Sequence, residues 1–300
     1  MTSFIRANGI DLAYEVTGPA NGVPVLLIMG FTAQMTSWPD EFHLALADKG
    51  CRVIRFDNRD NGLSQKFTGI IPDAAKVMKA INDGTKPDVP YTLNDMADDA
   101  AGLLDALDIP SAHVAGASMG GMIAQLVAVR HRNKTRSLSS LMSTTSDPSL
   151  PRADPRAQEA LMSKPPAEDR QSVVEHSLKS RLVTGSPGFP EDQDRVRAII
   201  GRNYDRSFYP EGALRQWSAI MASGSRTEQL KSLDCPTLVI HGAQDILIRP
   251  EAGRHTAACI KGAELKIIEG WGHNMPVAAV PVITTALVDF FTRVEQQKHH

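Results

Sequence analysis

The chain has 300 residues, 42% hydrophobic and 22% charged, enough to bury one large core with or without an insertion. A formal net charge of −2 leaves no electrostatic footprint for nucleic acid or an anionic membrane, and no apolar run approaches the roughly 18–20 residues of a membrane span. Three scattered cysteines without CxxC spacing, and a start lacking a basic-then-apolar segment, set the expectation of reduced thiols, no signal peptide and a cytoplasmic location.

Residues 10–16 alternate apolar and polar, which predicts a half-exposed antiparallel strand at a sheet edge. Residues 24–29 are continuously apolar, as a central parallel strand covered on both faces requires. A helix is expected over 38–49, closed by Gly50, and a strand over 52–56. Residues 65–90 are polar and broken by Pro and Gly, and read mostly as loop, either a second gate over the site or a surface connection. Thr92 and Asp95 are suited to start a helix that buries Met96, Ala100, Leu103, Leu104 and Leu107.

Residues 113–116 read as a short buried strand and 121–129 as a buried helix, with Gly116-Ala117-Ser118-Met119-Gly120 between them. A Gly-x-Ser-x-Gly turn in that setting forces the Ser into a strained conformation that presents its hydroxyl at the C-terminal edge of the sheet. After a strand over 137–142 the composition changes, and residues 143–230 carry many Pro and charged residues with broken helical patterns. That pattern predicts a mainly helical cap inserted after the sixth strand, over a core formed by 1–142 and 231–300. Strands at 236–241 and 265–268, and helices around 251–259 and 280–296, complete an α/β alternation with right-handed crossovers.

A serine hydroxyl is a poor nucleophile until a base takes its proton, and the base needs a partner that fixes its tautomer. Asp245 stands just past the 236–241 strand, and His273 stands in a Gly-flanked loop past the next one, so Ser118, Asp245 and His273 are the candidate catalytic residues. Asp147, after the sixth strand, is the alternative acid. His241, His255, His113 and His131 read as structural or surface residues. No His pair has a zinc spacing, and the terminal His299-His300 pair is assigned no metal role. The oxyanion donors should be the backbone N–H groups of Met119, at a helix N-terminus, and Phe31, in the loop after the 24–29 strand. Trp38, Met29, Met122, Trp271 and Met275 flank this site in sequence and are the candidate substrate pocket.

These motifs resemble a serine hydrolase of the α/β-hydrolase superfamily over essentially the full chain, and the order Ser, Asp, His is the one found there. Asp57-Asn58-Arg59-Asp60-Asn61-Gly62-Leu63-Ser64 is similar to the family turn Asp-x-Arg-Gly-x-Gly-x-Ser, with Asp60 in place of its first Gly. Met29 stands where the family usually has His before Gly-x, which keeps the backbone donor at Phe31 and removes a supporting side-chain hydrogen bond. Residues 27–30 and 37–42 look similar to the aclacinomycin methylesterase branch. The resemblance implies an α/β-hydrolase fold with a mostly parallel eight-stranded sheet. It also implies a cofactor-free, metal-free ester hydrolase that acts on a small-molecule ester through an acyl-enzyme. A lactonase, thioesterase or acyltransferase would use the same triad, and a ligand-binding receptor with slow turnover is the alternative from another class. Oligomeric state is left open.

Overall fold

The computed structural model describes residues 1–297, so the His299-His300 pair lies outside the described residues. Eight strands, β1 (Ser3–Ala7), β2 (Ile10–Thr17), β3 (Val23–Ile28), β4 (Cys51–Phe56), β5 (Ala112–Ala117), β6 (Thr135–Leu141), β7 (Thr237–Gly242) and β8 (Glu264–Ile268), form one sheet. Their order is β1-β2-β4-β3-β5-β6-β7-β8. The β1–β2 and β2–β4 pairs are antiparallel and all the others parallel. From β3 the chain crosses to β4 on one side and then returns to β5 on the other. The loops after β3 and β5 therefore diverge, and a crevice opens outside the strand ends at this switch point.

Strand periodicity divides the core into two layers. Leu26 and Ile28 of β3 face α3 (Leu93–Ala106) and α4 (Met119–Arg130), while Val25 and Leu27 face α1 (Asp40–Asp48) and α11 (Val280–Gln297). Burial on both faces is what makes β3 a continuous apolar run. The start of α3 follows from Asp95, whose carboxylate accepts the Thr92 N–H at 2.7 Å. The stretch Val277–Gln297 is long and apolar enough to cross a membrane, which counting uninterrupted apolar residues does not reveal, because Thr284, Thr285 and Asp289 break the run. Its Ile283, Leu287, Phe290 and Phe291 are buried in the second core layer.

Between β6 and β7 lie α5 (Pro155–Met162), α6 (Arg170–Thr184), α7 (Gln193–Arg206), α8 (Pro210–Ser223) and the short α9 (Thr227–Leu230), and α10 (Pro250–Cys259) joins β7 to β8. The 65–90 stretch is not all loop: Ala74–Asn82 forms α2, capped by the Asp73 carboxylate, which accepts the N–H groups of Ala75 and Lys76. Only Val77 of α2 is buried; Val77, Met78 and Ile81 have helical spacing, which the flanking Pro72 and Gly84 obscure when the stretch is read as a whole.

Burial raises the Cys51 and Cys235 thiols to about 11, so both are protonated and poorly nucleophilic near neutrality. Iodoacetamide at pH 8 should leave Cys51 unmodified in the native protein and modify all three cysteines after denaturation. Intact mass and peptide mapping check this, and fast native labelling of Cys51 would contradict its burial.

Candidate active site

Ser118 joins the last residue of β5 to the first of α4, with φ 56° and ψ −122°. A non-glycine residue in this region is strained and is held there by its surroundings. The Ser118 N–H donates to the Leu141 carbonyl at 2.9 Å. Its own carbonyl accepts from Gly121 N–H at 2.9 Å and from the Ser143 hydroxyl at 2.7 Å. A Cβ on Gly116 would collide with the Gly120 backbone, and one on Gly120 with the Ile28 carbonyl. Both glycines are therefore required by the close approach of β3, β5 and α4.

His273 Nε2 lies 3.0 Å from Ser118 Oγ, and His273 Nδ1 lies 2.7 Å from Asp245 Oδ2. The other Asp245 oxygen accepts the N–H groups of Leu247 and Ile248, each at 2.9 Å. His241 Nε2 is 3.4 Å from Asp245 Oδ2 and 2.8 Å from the Ile248 carbonyl, so His241 approaches the same carboxylate oxygen as His273. The His273 loop is gripped by the chain that follows α6. Its N–H donates to Thr184 C=O at 2.7 Å, Gly272 N–H donates to Ser186 Oγ at 2.9 Å, and Gly188 N–H donates to Gly270 C=O at 2.9 Å.

Burial alone would push the Asp245 carboxyl up. The His273 charge and the donors on His241 and His273 outweigh it and hold the group well below the usual carboxylate range. The sign follows from linkage: a depressed native value stabilises the fold above the unfolded carboxylate value of about 3.9, and that stability is lost as pH falls toward the native value. The stability difference between wild type and Asp245→Asn should therefore be full above about pH 5 and shrink below about pH 4. Urea unfolding at pH 7 and pH 3 measures it, and an equal difference at both would contradict the depressed value.

Asp147 is engaged elsewhere. Its carboxylate accepts from Ser149 and Thr227, which hold it down to about 2. His113 contacts Ser137, His131 contacts Asp98, and His255 contacts Thr145.

The Met29-Gly30-Phe31 turn runs beside Ser118. A Cβ on Gly30 would lie 3.2 Å from Ser118 Cβ and 3.7 Å from Ser118 Oγ. Among the described residues, the N–H groups of Phe31 and Met119 have no backbone carbonyl partner. Asn58 Nδ2 donates to the Met29 carbonyl at 2.8 Å, so a side chain from the turn after β4 braces the loop that lacks the usual His.

Two of the five expected pocket residues are corrected. Trp38 and Trp271 have no exposed surface; Trp38 stacks on Phe42 with ring centroids 4.8 Å apart, and Trp271 Nε1 donates to the Asn274 carbonyl. Both belong to the core layer against α11. Met29, Met122 and Met275 are buried except for 5–7% of their surface. Trp217 of α8 was missed: its ring centroid lies 5.9 Å from that of Phe31, and it is half-buried. Nothing local in the sequence ties α8 to a loop nearly two hundred residues earlier.

The charged turn after β4 is buried. Asp60 has φ 63°, the left-handed conformation that explains a Gly at this place in the family pattern. Arg215 of α8 pairs with both its oxygens, at 2.9 and 3.2 Å, and Tyr91 OH donates to it at 2.6 Å. Asp57 accepts the N–H groups of Met35 and Leu63 and pairs with Arg206 of α7 at 2.7 Å. Arg59 forms a two-point pair with Asp99 at 2.6 and 2.7 Å.

The chain is 28% identical over 307 residues to rhodomycin D methylesterase DauP of Streptomyces sp. (strain C5), with 95% of this chain and 96% of that one covered. It is 25% identical over 297 residues to the bifunctional esterase/perhydrolase DCH of Acinetobacter calcoaceticus, covering 94% of this chain and 96% of the relative. Among solved structures, a thermophilic esterase from Thermogutta terrifontis superposes with a TM-score of 0.69 at 26% identity, over 98% of this chain and 99% of that one. A family model described as alpha/beta hydrolase fold matches residues 23–277, from β3 to beyond the His273 loop, and the chain belongs to that family.

Proposed function

We propose that this carboxylic ester hydrolase is a serine enzyme working through an acyl-enzyme, with Ser118 as nucleophile, His273 as base and Asp245 as the group that orients it. The observation that carries the reading is the continuous contact from Asp245 through His273 to Ser118, at 2.7 and 3.0 Å, ending on a serine with φ 56°. Ser118 Oγ bonds to the ester carbonyl carbon as its proton passes to His273 Nε2. The imidazolium, stabilised by Asp245, then protonates the alcohol oxygen as the carbon–oxygen bond breaks. Water repeats the two steps on the acyl-enzyme, releases the acid and returns the proton to Ser118. The N–H groups of Phe31 and Met119 receive the oxyanion; removing one such donor typically costs about a hundred- to a thousandfold in kcat. No cofactor or metal enters any of these steps.

The helices between β6 and β7 act as a cap, with Trp217, Phe31 and the small exposed parts of Met29, Met122 and Met275 as apolar contacts for the substrate. Likeness to a methylesterase makes methyl esters the first class to try, alongside nitrophenyl esters of increasing acyl length. Intact mass after a fluorophosphonate probe, with acid and alcohol release measured in parallel, tests the reading. One adduct with steady release of both products supports it. An adduct with a single burst and no turnover would favour a binding protein, and faster turnover of lactones or thioesters would move the substrate class while keeping the triad. Because an imidazolium cannot accept the Ser118 proton, activity should fall on the acid side. A profile that stays flat to pH 4 would count against a histidine base.

A further inference from the structure

Three consecutive residues of α8 reach the region around Phe31. Arg215 pairs with Asp60, Trp217 packs on Phe31, and Gln216 bonds to two backbone groups at once. Gln216 Oε1 accepts the Thr32 N–H at 3.0 Å, and Nε2 donates to the Arg59 carbonyl at 2.9 Å. An N–H can only donate and a carbonyl can only accept, so these partners fix which way the amide faces. Gln216 is 1% exposed, and its bond to the Arg59 carbonyl is buried.

The geometry gives these bonds a bearing on the oxyanion donor. Each peptide group is a rigid plane. The Met29 carbonyl, in the plane before Gly30, is held by Asn58, and the Thr32 N–H, in the plane after Phe31, is held by Gln216. The Phe31 N–H belongs to the plane between them, whose own Gly30 carbonyl accepts the Ala33 N–H at 3.2 Å, so its direction is set by that turn bond together with the two anchored neighbours. Thr32 has φ 56°, a conformation that costs energy for a β-branched residue and relaxes unless held. We propose that Gln216 is the positioning residue of the oxyanion hole, and that docking of α8 and alignment of the Phe31 donor are one coupled event. The inference rests on the acyl-enzyme reading.

The test uses the full-length protein, Gln216→Met and Gln216→Glu, nitrophenyl butyrate as substrate, and an aryl trifluoromethyl ketone, whose serine adduct carries the oxyanion. In Gln216→Met, kcat should fall about 10- to 100-fold, below the loss for deleting a donor outright, with KM within about threefold. Ketone affinity should weaken by a similar factor, and the acid limb of the pH profile should stay in place, because Asp245 and His273 are untouched. Gln216→Glu keeps the acceptor for Thr32 and should recover most of kcat and ketone affinity while being less stable. A folded Gln216→Met with wild-type kcat and ketone affinity would overturn the proposal. So would a loss carried wholly by KM, a shifted acid limb, or a Glu variant no better than Met. If Gln216→Met does not fold, Gln216→Asn, one methylene too short to span both groups, is read against the same outcomes. An active Ser118→Ala enzyme would instead remove the acyl-enzyme reading itself, a separate result on a separate variant.

Discussion

Replacing Ser118 by alanine should lower kcat by about a hundred-thousandfold, with the protein still folded and its substrate affinity little changed. Residues that act as one relay fail together, so loss of the nucleophile removes nearly all the chemistry and leaves about a thousandfold or more over water from oxyanion donors and positioning. Removing the hydroxyl should not unfold the elbow. The strained φ at Ser118 is held by backbone bonds to Leu141 and Gly121 and by the Ser143 hydroxyl on the Ser118 carbonyl, none of which uses the Ser118 side chain. Nitrophenyl ester turnover and fluorophosphonate labelling of wild type and variant measure the effect. Near-native turnover in the alanine variant would rule out Ser118 as the nucleophile.

The second large effect is on stability. Arg215 and Asp60 are fully buried and bonded at two points, so replacing Arg215 by methionine leaves a buried carboxylate facing only the Tyr91 hydroxyl and the Phe67 N–H. Breaking one side of such a pair costs about 3–5 kcal/mol, chiefly because the surviving charge is uncompensated. The double variant Asp60→Gly/Arg215→Met removes both charges and puts glycine where φ is 63°. It should lose clearly less than the two single losses added together. Denaturant unfolding of the four proteins measures the coupling, and additive losses would mean that the pair is not what joins α8 to the turn.

The parts of the fold that were legible are those where one local rule governs the residue. β3 and β5 lie under helices on both faces, and β3 is apolar throughout; Gly116 and Gly120 mark a close approach that admits no side chain. Ser118, Asp245 and His273 each follow a strand whose end could be read, and the structure brings them together. What escaped was decided by distant contacts or by very little burial. β1 pairs only at the sheet edge and leaves Phe4 60% exposed, and α2 and α5 bury one residue each. Arg215 and Gln216 look like ordinary solvated helix residues until Asp60 and Thr32 are placed against them. For Trp38 and Trp271 the reason is the opposite: nearness to a motif in sequence does not say whether a side chain keeps any open surface, and these two have none.

Where the chain after α6 passes the histidine loop, Gly188 and Gly270 touch backbone to backbone, and a Cβ on Gly270 would stand 2.7 Å from Gly188 Cα. A seam this tight limits how the enzyme can be recombined. Exchanging the whole insert for one without glycine at 188 and serine at 186 would force a side chain into this seam and remove the hydroxyl that accepts the Gly272 N–H. A chimera that keeps 184–188 and 215–217 from this chain and replaces only the helical surface between them would leave His273 seated. The helical insert of this scaffold is thus exchangeable in segments, with the splice points fixed by two glycines and one glutamine.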